Sequence, residues 1–163
     1  MEGGVGDYQE YAASAEYLHL LSGPAWPALR PRLSAALSGV TANAGPVLEL
    51  GAGTGLGTDV LLDTLGNEVL AVEPSAALRG VLLARLVDGE RAGRVTVFPG
   101  GATEVPLPDR IAAVVGMHMV GHLAPPERKR LWAAVRNGSR PARPWCSTCS
   151  PRPRPSRCRS SRG

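Results

Sequence analysis

The fold of this chain is decided by residues 47–55, which read Val-Leu-Glu-Leu-Gly-Ala-Gly-Thr-Gly. An apolar run ends in three glycines at alternate positions, and Glu49 lies two residues before the first of them. This order is typical of a buried parallel strand that passes through a tight loop into a helix. Glycines let the loop approach a ligand closely, and the first amides of the following helix would point at that ligand. We therefore predict a site for a nucleotide-type cofactor here.

The spacing of the glycines distinguishes between two kinds of cofactor loop. The dinucleotide fingerprint, Gly-x-Gly-x-x-Gly, needs a third glycine where the chain has Leu56 or Thr58. The chain instead has Gly-x-Gly-x-Gly, which resembles motif I of the class I S-adenosylmethionine-dependent methyltransferases. In that family the loop passes under the methionine end of the cofactor. The resemblance implies cofactor contacts from Glu49, Gly51, Ala52, Gly53 and Gly55.

A second acid supports the same interpretation. Residues 68–75 read as a short apolar strand that ends in Glu73, followed by Pro74 and Ser75. Glu73 lies about 20 residues beyond the glycines, where doubly wound folds place the acid that accepts ribose hydroxyls. A carboxylate offers lone pairs to both hydroxyls of a diol. The resemblance extends the cofactor site to Glu73, Pro74 and Ser75, although an acid here would also suit the N-terminus of the next helix.

The remaining pattern alternates strands with helices. It predicts an α/β fold, a Rossmann-like doubly wound parallel sheet that is truncated after the fourth strand, in a domain spanning residues 1–136. The predicted strands cover 46–50, 68–72, 94–98 and 111–115, and the predicted helices cover 7–22, about 24–38, 57–65, 75–87 and 125–136.

The segment between the third and fourth strands continues the resemblance. Residues 99–109 are similar to a methyltransferase segment in which an acid often recognises the adenine amino group. Gly101 stands at that position, so backbone groups at Gly101, Ala102 and Thr103 would meet the base. The alternative interpretation of this segment is a plain surface loop.

The residues after the fourth strand are the candidates for chemistry. In open α/β sheets ligands lie at the carboxyl ends of strands, which places Gly116 and Met117 against the cofactor and His118 beside the methyl group. Imidazole titrates near neutral pH, so His118 is a candidate catalytic base. Alternatively, His118 and His122 pack against or cap a helix. The two are spaced to bind a metal from one helix face, but with no third ligand evident we expect no metal site.

Two tyrosines of the N-terminal helix are further candidates. In similar methyltransferases this helix folds over the cofactor and a tyrosine lines the pocket, which implies such a role for Tyr11 or Tyr17. Both would equally suit a packed core.

Length, composition and charge limit the size, cellular location and partners that we expect for the protein. The chain has 163 residues, enough for one domain, and no apolar run long enough to span a membrane. The N-terminus lacks the pattern of a signal peptide, so we expect a cytoplasmic protein. Seventeen arginines against one lysine suggest a GC-rich, bacterial coding sequence. Residues 1–136 carry a net charge of −3 and no strong basic patch, so we expect no specific nucleic-acid partner.

The last residues differ in character from the rest. Residues 137–163 carry seven arginines, no acid and all three cysteines, and we predict a disordered Arg/Pro/Ser-rich tail. Back-translation with GC-rich codons in a shifted frame yields a Pro-Gly turn and an apolar strand, so we interpret the tail as a frame-shift product. A nucleic-acid arm or a zinc site, with Cys146, Cys149 and Cys158, are the competing interpretations.

The predicted function is methyl transfer from S-adenosylmethionine to a small-molecule acceptor. Without further strands beside the fourth, we expect an exposed sheet edge, a homodimer through it, weakened cofactor binding and little turnover. A NAD-binding oxidoreductase and a non-catalytic cofactor-binding fragment are the alternatives.

Overall fold

The computed structural model describes residues 14–87 and 91–138. Within them, four parallel strands form one sheet in the order β3-β2-β1-β4. The predicted α/β class with a Rossmann-like parallel sheet is confirmed, although the fourth strand begins two residues later than predicted. The strands are β1 Val47–Leu50, β2 Val69–Val72, β3 Val95–Phe98 and β4 Ala113–Val115.

Helices precede the sheet, connect β1 to β2 and β2 to β3, and follow β4. The helix predicted from residue 7 is described from Ala15 onward, and its earlier part lies outside the described residues. The other helices begin and end within two residues of their predicted bounds. They are α1 Ala15–Ser22, α2 Trp26–Ala36, α3 Leu56–Thr64, α4 Ala76–Val87 and α5 Pro125–Gly138.

Both faces of the sheet are covered, because successive side chains of each strand point to opposite faces. On one face, Val47 and Val69 belong to a buried cluster that includes side chains of α2, α3 and α4. On the other face, Leu48 and Leu50 pack in a cluster with Leu131 of α5. The central strand β1 is buried along its whole length, which is why it reads as a continuous apolar run broken only by Glu49.

The carboxyl ends of the strands are joined to one another by backbone hydrogen bonds. Gly51 and Ala52 donate their amide hydrogens to the Val72 carbonyl, at 2.8 and 3.0 Å. Glu73 donates its amide hydrogen to the Phe98 carbonyl at 3.1 Å. The loops that follow β1 and β2 are therefore held side by side at the edge where open α/β sheets bind ligands.

Among the described residues, no helix combines the length and hydropathy needed to cross a bilayer. The cytoplasmic location and bacterial source stay predictions. Residues 139–163 lie outside the described residues, so the disorder and the frame shift proposed for the tail also stay predictions.

Candidate active site

The three glycines of the loop all have positive φ, but each serves a different purpose. A Cβ at Gly51 (φ +69°) would lie 2.6 Å from the Cβ of Met119, and one at Gly55 (φ +85°) would lie 2.4 Å from Leu82 Cδ1. These two glycines therefore permit close packing. At Gly53 (φ +57°) an added Cβ would meet nothing within 4 Å. The missing side chain of Gly53 leaves open space above the loop.

The carboxylate of Glu73 connects this loop to the start of α4. Its Oε2 accepts the amide hydrogen of Gly53 at 2.8 Å, and its Oε1 accepts the amide hydrogen of Ser75 at 2.9 Å. Burial raises the pKa of Glu73, while the hydrogen bonds from Ser75 and Gly53 and the positive charge of Arg79 oppose that rise. Each carboxylate oxygen keeps a further lone pair that can accept a hydrogen bond.

The acid of β1 lies beneath the loop. Thr58 of α3 donates its hydroxyl hydrogen to Glu49 Oε2 at 2.6 Å. A Cβ at Gly57 would lie 2.4 Å from Glu49 Oε1 and 3.2 Å from Trp26 Cη2, so this glycine makes room for both side chains. Burial raises the pKa of Glu49 from 4.5 to about 7, and the negative charges of Asp59 and Glu73 contribute to the rise.

His118 has unusual backbone geometry. Its φ is +64°, the one positive value among the non-glycine residues that the structure describes. The left-handed region is unfavourable for a residue with a Cβ, and such strain is concentrated at functional sites. The exposed His118 side chain lies three residues after the end of β4, between Met117 and Met119.

A first cavity of about 190 Å³ opens at this edge of the sheet. Its wall combines the glycine loop, the end of β2, the start of α4 and the segment after β4. The lining residues are Gly51, Gly53, Glu73, Pro74, Leu78, Ala102, Met117, His118, Met119, His122 and Leu123.

A second cavity, of about 320 Å³, lies against α2. It shares four lining residues with the first cavity, namely Gly51, Gly53, Met117 and His118. Its other lining residues come from the N-terminal helices and from the loop into α3. They are Ser22, Ala25, Trp26, Leu29, Ala52, Thr54, Leu56 and Gly57.

Most of the predicted site residues lie at the carboxyl edge of the sheet, but they do not all line the same cavity. The first cavity is lined by Gly51, Gly53, Glu73, Pro74, Ala102, Met117 and His118 of the predicted set. Ala52 lines the second cavity, and Thr103 lines a separate one. The remaining predicted residues in the described part, which line neither of the first two cavities, are Glu49, Gly55, Ser75, Gly101 and Gly116.

The two tyrosines have different outcomes. Tyr11 lies outside the described residues, so its predicted cofactor contact stays a prediction. Tyr17 is 57% exposed, which excludes the packed-core alternative for this residue.

At position 101, the amide hydrogen of Gly101 is donated to Glu104 Oε2 at 2.6 Å, so an acidic group does lie beside that glycine.

Several site residues were missed by the sequence analysis. His19 of α1 hydrogen-bonds to Thr54 through Nδ1 and Oγ1, which are 2.9 Å apart. Arg85 of α4 donates from Nη1 to the Thr54 carbonyl at 2.7 Å and forms an ion pair with Asp59. Trp26, which lines the second cavity, was also missed. None of these contacts has a local sequence signal, because each joins elements far apart in the chain.

Comparison with known proteins identifies the family. Residues 47–142 match a family model described as a methyltransferase domain. The match covers more than half of the chain, which therefore belongs to the methyltransferase domain family. The predicted class, an S-adenosylmethionine-dependent methyltransferase of class I, is confirmed, and the nicotinamide alternative gains no support.

Individual relatives agree with this assignment. Over 68 residues the chain is 46% identical to the probable ribosomal RNA small subunit methyltransferase A of Natronomonas pharaonis, a match to 42% of this chain and 24% of that protein. Among solved structures, the glycopeptide N-methyltransferase MtfA is 34% identical with a TM-score of 0.57, over 68% of this chain and 51% of that one. The DhpI-SAM-HEP complex, at 22% identity, shares the fold with a TM-score of 0.64, over 86% of this chain and 64% of that one.

The chain thus spans about half of the length of MtfA. MtfA has also been solved with (S)-adenosyl-L-methionine, with (S)-adenosyl-L-homocysteine and with sinefungin. These complexes agree with the predicted cofactor, S-adenosylmethionine.

Proposed function

We propose that this domain binds S-adenosylmethionine in the first cavity and transfers its methyl group to a small-molecule acceptor. The observation that carries the proposal is the position of Glu73 in the cavity wall, with its two carboxylate oxygens anchored by the amides of Gly53 and Ser75. A carboxylate held in this way has a fixed orientation and free lone pairs toward the cavity. It is therefore suited to accept the two hydroxyls of a ribose.

The loop fits the same cofactor. The open space above Gly53 admits a ligand directly onto the backbone, where any side chain would intrude. Leu78, Ala102 and Leu123 supply apolar surface to the same cavity, which suits the faces of a nucleoside base. Met117, another residue predicted to contact the cofactor, lines both cavities.

The reaction would take place where the cavities meet. Bound S-adenosylmethionine supplies a methyl carbon on a cationic sulfur, and transfer joins that carbon to the acceptor atom while the carbon–sulfur bond breaks and its electron pair stays on sulfur. His118 lines both cavities, so its imidazole is placed to take the proton that a neutral acceptor loses. Holding the acceptor and the methyl group in line is the main contribution of the protein.

The binding step is tested by calorimetric titration of the full chain with S-adenosylhomocysteine and, separately, with NAD. We expect one site for S-adenosylhomocysteine and no heat of binding for NAD. Binding of NAD without S-adenosylhomocysteine would contradict the proposal. Binding of S-adenosylhomocysteine without methyl transfer to any acceptor would support the alternative of a non-catalytic domain.

The edge of the sheet is the basis of a proposal about assembly. Within residues 14–87 and 91–138, β4 pairs with β1 alone, so its other edge has no strand partner. Unpaired edges are templates for another strand. We propose that two copies of the chain pair through this edge, and sedimentation equilibrium should then show a mass that rises with concentration toward the dimer. A monomer at all concentrations would contradict this.

A further inference from the structure

Thr54, between the second and third glycines of the loop, is held by two helices at once. Its carbonyl accepts a hydrogen bond from Nη1 of Arg85 on α4 at 2.7 Å. Its hydroxyl oxygen lies 2.9 Å from Nδ1 of His19 on α1. Thr54 is 7% exposed, so both bonds form where water competes weakly. The loop is therefore attached to side chains that come from distant parts of the sequence.

This attachment matters because the glycines alone would not fix the shape of the loop. Gly53 and Gly55, on either side of Thr54, have no Cβ, so the backbone here can adopt other conformations at little cost. The bond from Arg85 fixes the direction of the Thr54 carbonyl. The adjoining residue is Gly53, whose amide hydrogen Glu73 accepts at 2.8 Å. A change in the direction of the Thr54 peptide would therefore disturb the bond between the loop and Glu73.

Arg85 is itself anchored on the first turn of α3. Its Nη2 forms an ion pair with Asp59, while its Nη1 donates to the Thr54 carbonyl. The planar guanidinium presents these two donors at a fixed angle. Arg85 lines neither of the two cavities, so any effect that it has on a ligand passes through the loop.

The ion pair itself contributes little to the stability of the fold. The side chains of Arg85 and Asp59 are 29% and 32% exposed, and ion pairs within reach of water contribute little to the free energy of unfolding. The guanidinium is therefore better placed to orient the loop than to hold the domain together.

We infer that Arg85 is a positioning residue for cofactor binding, which holds the Thr54 carbonyl so that the Gly53 amide stays directed at Glu73. His19 supports the same residue from α1. The inference rests on the proposed function, since it takes the first cavity as the cofactor site. A loop that is ordered in advance loses less freedom when the ligand binds, so removing Arg85 should weaken affinity.

The first measurement is the Kd for S-adenosylhomocysteine, by calorimetry on the full chain. Arg85→Met should weaken binding about tenfold, because it removes a charge-assisted hydrogen bond from the loop. Arg94→Met is the matched control. Arg94 also donates to main-chain carbonyls, but at the amino ends of the strands, and its acceptors are Leu62, Leu65 and Asn67. This control should lower the urea midpoint of unfolding and leave the Kd unchanged.

The second measurement is hydrogen exchange of the Gly53 amide, followed by NMR without cofactor. The bond to Glu73 slows this exchange, and Arg85→Met should accelerate it about tenfold. Arg94→Met should leave it unchanged, although that variant unfolds more easily. Arg85→Lys keeps a donor for the Thr54 carbonyl, so it should restore most of the affinity and protection that Arg85→Met loses.

Salt distinguishes the position of the loop from the charge of the guanidinium. Salt at about 0.5 M screens charges that act through solvent, whereas a direct hydrogen bond persists. The loss of affinity in Arg85→Met should therefore be the same in about 0.05 M and about 0.5 M sodium chloride. A loss that disappears at the higher concentration would show that the charge acts through space, and would overturn the inference.

The outcomes separate two kinds of failure. If S-adenosylhomocysteine does not bind the unaltered chain, the proposed function fails, and this inference with it. If it binds the unaltered chain and Arg85→Met with Kd values within about twofold of each other, the inference alone is overturned. An equal loss of affinity in Arg85→Met and Arg94→Met, or unchanged exchange of the Gly53 amide in Arg85→Met, would also overturn the inference alone.

Discussion

The carboxylate of Glu73 accepts the amide hydrogen of Gly53 at 2.8 Å, across twenty residues of sequence. This bond ties the loop after β1 to the loop after β2. The side chain of Glu73 is 5% exposed, so the bond forms where water competes weakly. The shape of the glycine loop and the position of the acid therefore depend on each other.

Replacing this acid should abolish tight cofactor binding. In Glu73→Gln the amide nitrogen cannot accept a hydrogen bond, so Gly53 or Ser75 loses its partner and the ribose loses an acceptor. We expect the Kd for S-adenosylhomocysteine to rise on the order of 100-fold by calorimetry, as hydrogen bonds to a charged group contribute about 1.5–3 kcal/mol each. Glu68→Gln, at an exposed acid before β2, is the control and should bind normally. A change below about threefold in Glu73→Gln would contradict the assignment.

Alanine variants of the loop glycines should distinguish effects on cofactor affinity from effects on the free energy of unfolding. Gly53→Ala adds a methyl group to open space, so we expect a loss of roughly 1–2 kcal/mol of unfolding free energy from the left-handed backbone, together with a loss of cofactor affinity. Gly55→Ala adds the strain of a methyl group 2.4 Å from Leu82 Cδ1, so its unfolding free energy should fall further.

Urea unfolding and calorimetry measure these two effects. Gly80→Ala serves as the control, since Gly80 lies in α4 with nothing within 4 Å of an added Cβ. This variant should gain about 1 kcal/mol of stability, as alanine favours helix over glycine, and should bind S-adenosylhomocysteine unchanged. Gly53→Ala with normal cofactor affinity would show that the open space is not part of the site.

The buried acid of β1 predicts an unusual pH dependence of stability. Since the pKa of Glu49 is raised from 4.5 to about 7, the folded state holds a proton that the unfolded state releases. The contribution of Glu49 to the unfolding free energy therefore falls as pH rises through the interval between these values, by on the order of 3 kcal/mol. Below about pH 4.5 this contribution is fully favourable, and above about pH 7 it no longer changes.

Glu49→Gln removes this titration. The free energy of unfolding of this variant, measured relative to the unaltered chain by urea unfolding at each pH, should rise between about pH 4.5 and pH 7 and then stay constant. Asp109→Asn, at an exposed acid in the loop before β4, is the control and should show no such rise. A relative stability that stays flat with pH would mean that Glu49 is ionised in the folded protein over the whole interval.

The strained backbone at His118 should be detectable as lost stability. With φ at +64°, His118→Gly relieves the strain and should raise the free energy of unfolding by about 1 kcal/mol. His118→Ala removes the same imidazole but keeps the Cβ, so it should gain nothing. The pair therefore distinguishes the backbone from the side chain in urea unfolding. Equal stability of the two variants would show that the backbone at this position carries no strain.

The positions of the strands along the chain and the glycine loop could be predicted from the sequence because their signals are local. The strand before Gly51 and the role of Glu73 can each be recognised from a few neighbouring residues. The contact between His19 and Thr54 spans 35 residues, and its existence depends on how α1 packs. The same holds for Trp26, whose place in the cavity wall is decided by the gap at Gly57. Periodicity finds helices but does not show which of their residues reach a distant loop.

The position of the acid beside Gly101 is a second feature that could not be predicted from the sequence. The sequence predicts no acidic side chain at this place, because residue 101 is itself a glycine. In the structure a tight turn returns the side chain of Glu104 to the amide of Gly101. Glu104, three residues along the chain, thus brings a carboxylate next to Gly101, where the family often has an acid.

The four residues shared by the two cavities place the cavities side by side. If the cofactor and the acceptor both bind at this edge of the sheet and contact the same residues, the affinity of each depends on the other. By thermodynamic linkage, if the bound cofactor changes the affinity for the acceptor by some factor, the bound acceptor changes the affinity for the cofactor by the same factor. An acceptor too weak to detect by itself would then reveal its presence as a shift in the dissociation constant of S-adenosylhomocysteine.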